Sequence, residues 1–260
     1  MSFLVLAAFA ASGDALAVGR LADVTIIDRD SGAALRTYYS RGEYWVAGRP
    51  GARYSIEIRN CSGGRLLAVA SVDGVNVLSG ATAAWDQGGY VFDPAEHYDI
   101  SGWRKSHEEV ADFTFTDAGD SYAGRTGRPA NVGVIGVAVF RERPPEPVYL
   151  PKRIAPAAGG PPQAPAGADE ARASAGASVS EPAVSAPKLG TGHGEREYSY
   201  VVDTEFRRMQ REPNEVIRIR YDSLENLVAM GIVRRPRPPG QVPDPFPGSD
   251  RRAFVPDPPG

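Results

Sequence analysis

The densest run of chemically capable side chains in this sequence is Trp103-Arg104-Lys105-Ser106-His107-Glu108-Glu109. A serine next to a histidine and two carboxylates has the residue types of a nucleophile, a base and an orienting acid, the set used in acyl transfer. Adjacency argues against that use, because neighbours on a strand point to opposite faces and a triad is defined by geometry. A hydrolase would need His107 or His97 to meet Glu108, Glu109 or Asp73 in space, and the sequence assigns no catalytic residue. His97, His107 and His193 are the three histidines, and no two have metal-ligand spacing. No metal or cofactor is expected.

Three other stretches have chemical potential and a plainer explanation. Gly190-Thr191-Gly192-His193-Gly194-Glu195 has the glycines of a phosphate-cradling loop but lacks the preceding hydrophobic strand and following helix, so it reads as a hinge. Asp117, Asp120 and Ser121 offer oxygen ligands without EF-hand spacing and read as turn-stabilising residues. Cys61 is the single cysteine, which rules out an internal disulfide. It sits in Asn60-Cys61-Ser62-Gly63-Gly64 with no charged activator beside it, as a structural thiol would.

Aromatic residues supply the remaining chemistry. Trp45, Trp85 and Trp103, with Tyr38, Tyr39, Tyr44, Tyr90, Tyr98 and Tyr122, have the surface needed to stack on a sugar or a peptide, although most aromatics in a β fold are core. Trp85, in a loop-like Ala-Ala-Trp-Asp-Gln-Gly-Gly, is the exception expected at the surface. The ligand-binding candidates are Trp85, Trp103, Arg104 and His107. Pro236-Arg237-Pro238-Pro239 has the form of a polyproline ligand and equally of an unstructured basic tail.

These residues are carried by a chain of 260 residues with 42% hydrophobic content and a formal charge of -3. That composition describes a globular protein with no positive excess to recruit nucleic acid. Arginine supplies nearly all the cations, with lysine only at Lys105, Lys152 and Lys188, a usage that fits a GC-rich bacterial genome. Residues 1 to 17 carry an apolar run and an Ala15-Leu16-Ala17 triplet, the form of a signal peptide cleaved after Ala17, though no Lys or Arg precedes the run. Export to the periplasm or beyond is expected, with a cytoplasmic protein as the alternative. No segment is long and apolar enough to span a membrane.

Residues 22 to 143 have a period of two. Tyr54, Ile56 and Ile58 alternate with Ser55, Glu57 and Arg59, and Ala111, Phe113 and Phe115 with Asp112, Thr114 and Thr116. Asp73-Gly74 between apolar runs predicts a type I′ hairpin, and Asp93-Pro94 a turn between two short strands. Residues 132 to 140 are apolar at both alternating sets, as expected of a central strand. The expected fold is mainly β, an antiparallel β-sandwich, with a small β-barrel as the alternative.

Residues 144 to 188 are Pro/Ala-rich and read as a disordered linker that spans on the order of 35 to 40 Å as a flexible coil. Residues 189 to 233 are patterned again: strands at 198 to 202 and 215 to 221, then a helix from Leu224 capped by Ser223 and stopped by Gly231. This β-β-α piece is too small for its own core, so it is expected to pack on the sandwich or lend a strand to its edge. Residues 234 to 260 are proline-rich and are expected to be an extended or disordered tail.

The segments SVDGVNVLSG, GYVFDP, ISGWRKS, FTFTDAGDSYAGRTGRPANVGVIGVAVFRE, LGTGHGEREYSYVVDTEF and IRIRYDSLENLVAMGIV together resemble a family of uncharacterised bacterial proteins. The resemblance implies that the two patterned regions form one unit and brings no activity with it. The sequence therefore points to a non-enzymatic exported protein that binds or scaffolds, with an envelope protein or a glycan as partner. The rival reading is a hydrolase.

Overall fold

The computed structural model describes residues 17–145 and 187–234. The expected signal peptide up to residue 16, residues 146–186 of the linker and the tail from 235 onward lie outside the described residues. The front region holds β1 (Ala22–Asp28), β2 (Ala33–Ala34), β3 (Thr37–Ser40), β4 (Glu43–Gly48), β5 (Arg53–Asn60), β6 (Leu66–Val72) and β7 (Val75–Asn76). It continues with β8 (Tyr90–Phe92), β9 (His97–Ile100), β10 (Gly102–Arg104), β11 (Glu109–Asp117), the one-turn helix α1 (Tyr122–Arg125) and β12 (Val134–Arg141). Beyond the linker come β13 (Leu189–Tyr198), β14 (Glu215–Ser223) and α2 (Leu224–Ala229).

The fold is mainly β, a sandwich of two sheets with no closed barrel. One sheet runs β10-β11-β5-β1-β2, with β13 along β11 and β9 on β5. The other runs β3-β4-β14-β12-β6-β7, with β8 on β6. The period-two pattern explains the inner faces: Tyr54, Ile56 and Ile58 of β5 and Phe113 and Phe115 of β11 are fully buried. Asp73 and Gly74 both take positive φ, 54° and 73°, as a type I′ turn requires. The turn at Asp93-Pro94 does not close a hairpin. β8 pairs β6 while β9 pairs β5, so the chain changes sheets there.

The stretch after the linker departs from expectation in two ways. Its two strands are divided between the sheets: β13 lends an outer strand to one along β11, which matches the expected edge addition, and β14 joins the other. β14 lies inside its sheet, antiparallel to β12 and parallel to β4, rather than at an edge. The first strand also runs Leu189–Tyr198, so it ends where the expected strand 198 to 202 begins, and the glycine-rich run is strand and not hinge. Its glycines are needed for contact: a Cβ at Gly190 would sit 2.6 Å from Ser121 Cβ, and one at Gly194 2.9 Å from Asp112 Cβ.

Both sheets meet at one buried polar cluster. The Asp73 carboxylate accepts from Tyr221 OH (2.6 Å) and the Gly133 amide (2.9 Å) at Oδ1 and from the Thr191 amide (2.8 Å) at Oδ2. Thr191 Oγ1 lies 2.7 Å from Tyr221 OH and 2.6 Å from Tyr54 OH. Because the carboxylate only accepts, Tyr221 must donate to it, Thr191 to Tyr221 and Tyr54 to Thr191. The rings of Tyr54, Phe115 and Tyr221 pack beside this chain, Tyr54 and Phe115 at 4.2 Å.

Burial holds the Asp73 carboxyl above its ordinary 3.8, although the bonds from Tyr221, Thr191 and Gly133 pull it down. Its contribution to stability is therefore full below the unfolded-chain pKa and declines as pH rises through the folded one. We predict that Asp73→Ala lowers stability by about 3–5 kcal/mol, since it strands three buried donors. In urea titrations the gap between the native protein and Asp73→Asn should shrink as pH is raised from about 4 to 7. A gap that widens with pH would refute this role.

Candidate functional site

A groove of about 1020 Å³ lies on the surface of the described residues. One wall comes from the loop before β8, with Tyr90 and Tyr98, and from Arg104 to His107 after β10; the other is the run 201–208. That second wall is suspended between the two sheets. At its start the Ser199 and Val201 amides donate to the carbonyls of Glu108 (2.8 Å) and His107 (2.8 Å), extending β13 along the β10–β11 turn. At its end Arg143 N donates to Arg207 O (2.7 Å) and Met209 N to Arg141 O (2.9 Å), tying it to the end of β12. Phe206 packs with Leu67, Val69 and Phe140, and the Arg208 guanidinium lies 4.2 Å from the Phe140 ring centre.

Arg104 sits at the centre of the groove's polar lining. Its Nη1 donates to Ser199 O, and its Nη2 to Ser199 Oγ (3.1 Å) and Tyr90 OH (3.3 Å). Its Nε is buried with no acceptor, and no carboxylate lies within ion-pair distance of it among the described residues. Tyr98 OH shares a hydrogen bond with Ser199 Oγ (2.8 Å) and stacks on Tyr90 at 5.6 Å. Burial pushes the Tyr90 hydroxyl up, and the nearby Arg104 cation only partly offsets this, so it remains a neutral donor. Burial, then the charge of Arg196, lowers the Lys105 ammonium. The result is a polar, aromatic hollow in which the cations Arg104, Lys105 and Arg208 share the lining with the carboxylates Asp86, Glu96 and Asp203. Such a surface can hydrogen-bond a carboxylate, a carbonyl or a sugar hydroxyl while an apolar or ring face stacks on tyrosine.

The four ligand-binding candidates separate in space. Arg104 and His107 line the groove. Trp85 is 55% exposed, as its loop context predicts, but beside a second, smaller hollow with Arg143, Arg208 and Arg211. Trp103 is a correction. It is buried, donates from Nε1 to Gly192 O (3.1 Å) and packs edge-on to Phe113, so it closes the core and cannot meet a ligand.

The hydrolase groups are not brought together. His107 Nε2 faces the exposed Asp203 carboxylate (3.2 Å), while Ser106 Oγ accepts from the Glu108 and Glu109 amides in a tight turn. His97 is an exposed residue paired with Arg59 on β5, and Asp73 is committed to the buried cluster. Burial also raises the Cys61 thiol, so it is not a ready thiolate. Ser121 caps α1 by accepting from the Gly124 amide (3.0 Å).

Sequence reasoning missed Ser199, which lies inside the expected strand 198 to 202, and Phe206 and Arg208, which lie beyond it in a stretch with no periodic pattern. It also missed a carboxylate pair. Arg29 bridges Asp112 (3.0 Å) and Glu197 (2.8 Å). Burial and the neighbouring Glu197 charge raise Asp112, while Arg29 holds Glu197 low against burial. This pair lines neither hollow and serves to fasten β13 to the first sheet. No family model, curated protein or solved structure matches the chain.

Arg104 thus both lines the groove and holds its far wall. We predict that Arg104→Ala destabilises the fold by about 1–3 kcal/mol through lost charged hydrogen bonds. His107→Ala and Trp85→Ala, both at exposed sites, should leave the thermal midpoint within about a degree or two. Equal midpoints for Arg104→Ala and the native protein would show that the guanidinium does not hold the 199–208 wall.

Proposed function

We propose that this protein is a non-enzymatic, exported binding or scaffolding protein of the bacterial envelope, and that its ligand, a peptide or glycan, seats in the groove beside Arg104. The observation that carries this reading is the arginine itself. A guanidinium that lines the groove with no carboxylate partner among the described residues, set beside two stacked tyrosines, offers an external acceptor a charge-assisted partner. The groove volume suits a short oligosaccharide or a few peptide residues.

Export is supported by the Ala15-Leu16-Ala17 triplet together with the start of the fold. Val18 is already buried and exchanges backbone hydrogen bonds with Val24, so cleavage after Ala17 would leave every described strand intact. No described helix is long and apolar enough to cross a membrane.

The test is retention on glycan and random-peptide arrays by the native protein and by a Lys105→Ala/His107→Ala double variant, whose substitutions are at exposed positions. We expect at least one ligand class to be retained and its apparent affinity to fall about tenfold or more in the variant. Retention indifferent to the substitutions would contradict the groove as the site. Turnover of a retained glycan or peptide would contradict the non-enzymatic reading.

A further inference from the structure

The run Tyr198-Ser199-Tyr200-Val201-Val202 leaves an unusual strip of apolar surface. Tyr198, Tyr200 and Val202 are 76%, 57% and 67% exposed, whereas Ser199 and Val201 are half-buried. Isolated exposed apolar residues are ordinary, but three at alternating positions of an extended segment form a continuous row.

The backbone under that row is equally open. β13 pairs only with β11, so it is the outer strand of its sheet. The Ser199 and Val201 amides point inward to Glu108 and His107, and the alternation of an extended chain turns the amides and carbonyls of Tyr200 and Val202 outward. Neither outward pair has a hydrogen-bond partner among the described residues. Farther back on the same strand the outward amides are capped, Thr191 by Asp73 and Leu189 by Asp222. Residues 198 to 202 contain none of the lysine, proline or bulge that usually protects an edge.

Charge selects the occupant. The strip is flanked by Glu195, Arg196 and Glu197 on one side, with Arg196 taken up by Glu109 (3.1 Å), and by Asp203 and Glu205 on the other. Glu197 is paired with Arg29, and Asp203 faces only the exposed His107, while Glu195 and Glu205 have no ion-pair partner among the described residues. A second copy paired antiparallel about Tyr200 would set Asp203 against Glu197 and Glu205 against Glu195, which repels.

We propose that residues 198 to 202 are a strand-addition site for an extended peptide of alternating β-branched or aromatic residues with Lys or Arg at its ends. Such a peptide continues the sheet through the Tyr200 and Val202 backbone, places its apolar side chains beside Tyr198, Tyr200 and Val202, and sets its basic ends against the acidic flanks. Val202 and Asp203 also line the groove, but this site is the strand edge and does not require the groove to be occupied.

The experiment uses the full chain and two synthetic peptides of alternating valine and threonine, one ended by arginines and one by glutamates. Amide exchange followed by NMR should slow at Tyr200 and Val202 by about tenfold or more with the arginine-ended peptide and stay unchanged with the other. Tyr200→Pro, which deletes the outward donor at an exposed position, should weaken the arginine-ended peptide by about tenfold, whereas Trp85→Ala, exposed beside the other hollow, should not. Unchanged exchange at millimolar peptide, an equal response to the glutamate-ended peptide, or protection that rises with protein concentration in the absence of peptide would each overturn the proposal.

Discussion

A single buried carboxylate holds the two sheets in register with each other. Asp73 sits at a hairpin tip of one sheet, and its two oxygens accept from the start of β12, from the outer strand of the other sheet and from the inserted strand β14. Such a group is costly to bury and is tolerable only when every lone pair is used. The Tyr54–Thr191–Tyr221 hydroxyl relay supplies most of that satisfaction, and while the carboxyl is ionised each of its hydroxyls donates toward Asp73. Thr191 is reached only because Gly190 and Gly192 let β13 lie close against its neighbours, and Gly133, at φ 88°, turns its amide toward Asp73.

The rest of the architecture follows from that junction. Without β14, the facing edges of β4 and β12 would be open and the inner side chains Ile217, Ile219 and Tyr221 would be missing from the core. The front region is therefore an incomplete sandwich, and the chain beyond the linker is its closing part. The groove inherits the same dependence: its 201–208 wall hangs between β13 and β14, so it has its shape only when both strands are seated. Fold completion and the candidate binding surface are coupled through the same stretch, Leu189 to Ser223.

Much of this was legible in the residues and some was not. Half-buried strands announce themselves by period two, which is why β5, β11 and β14 match the alternation of Tyr54-Ile56-Ile58, Ala111-Phe113-Phe115 and Ile217-Ile219-Tyr221. The Asp73-Gly74 turn and the Ser223 cap are local chemistry and read directly, Ser223 Oγ accepting from Asn226 N at 3.1 Å. β13 was illegible because four of its first six residues are glycine or histidine, and glycine carries no burial pattern. The insertion of β14 depends on parallel pairing with β4, about 170 residues earlier, and no local signal encodes a partner at that distance. In the site, Arg104 and His107 stood out as a polar cluster, whereas Ser199 and Arg208 gain meaning only from the backbone that brings them across. Trp103 misled because an indole looks the same in sequence whether its N–H meets a ligand or, as here, Gly192 O.

The most direct test of this account is native-state hydrogen exchange on the full chain, comparing β14 and β13 amides with those of β6 and β12. If the stretch past the linker is integral, the Ile217, Ile219 and Thr191 amides will exchange with the same opening free energy as those of Val69 and Val137, at the global unfolding limit. Exchange of the β14 amides through a separate, lower-energy opening, while β6 and β12 stay protected, would show that the front region stands alone and would contradict the central claim.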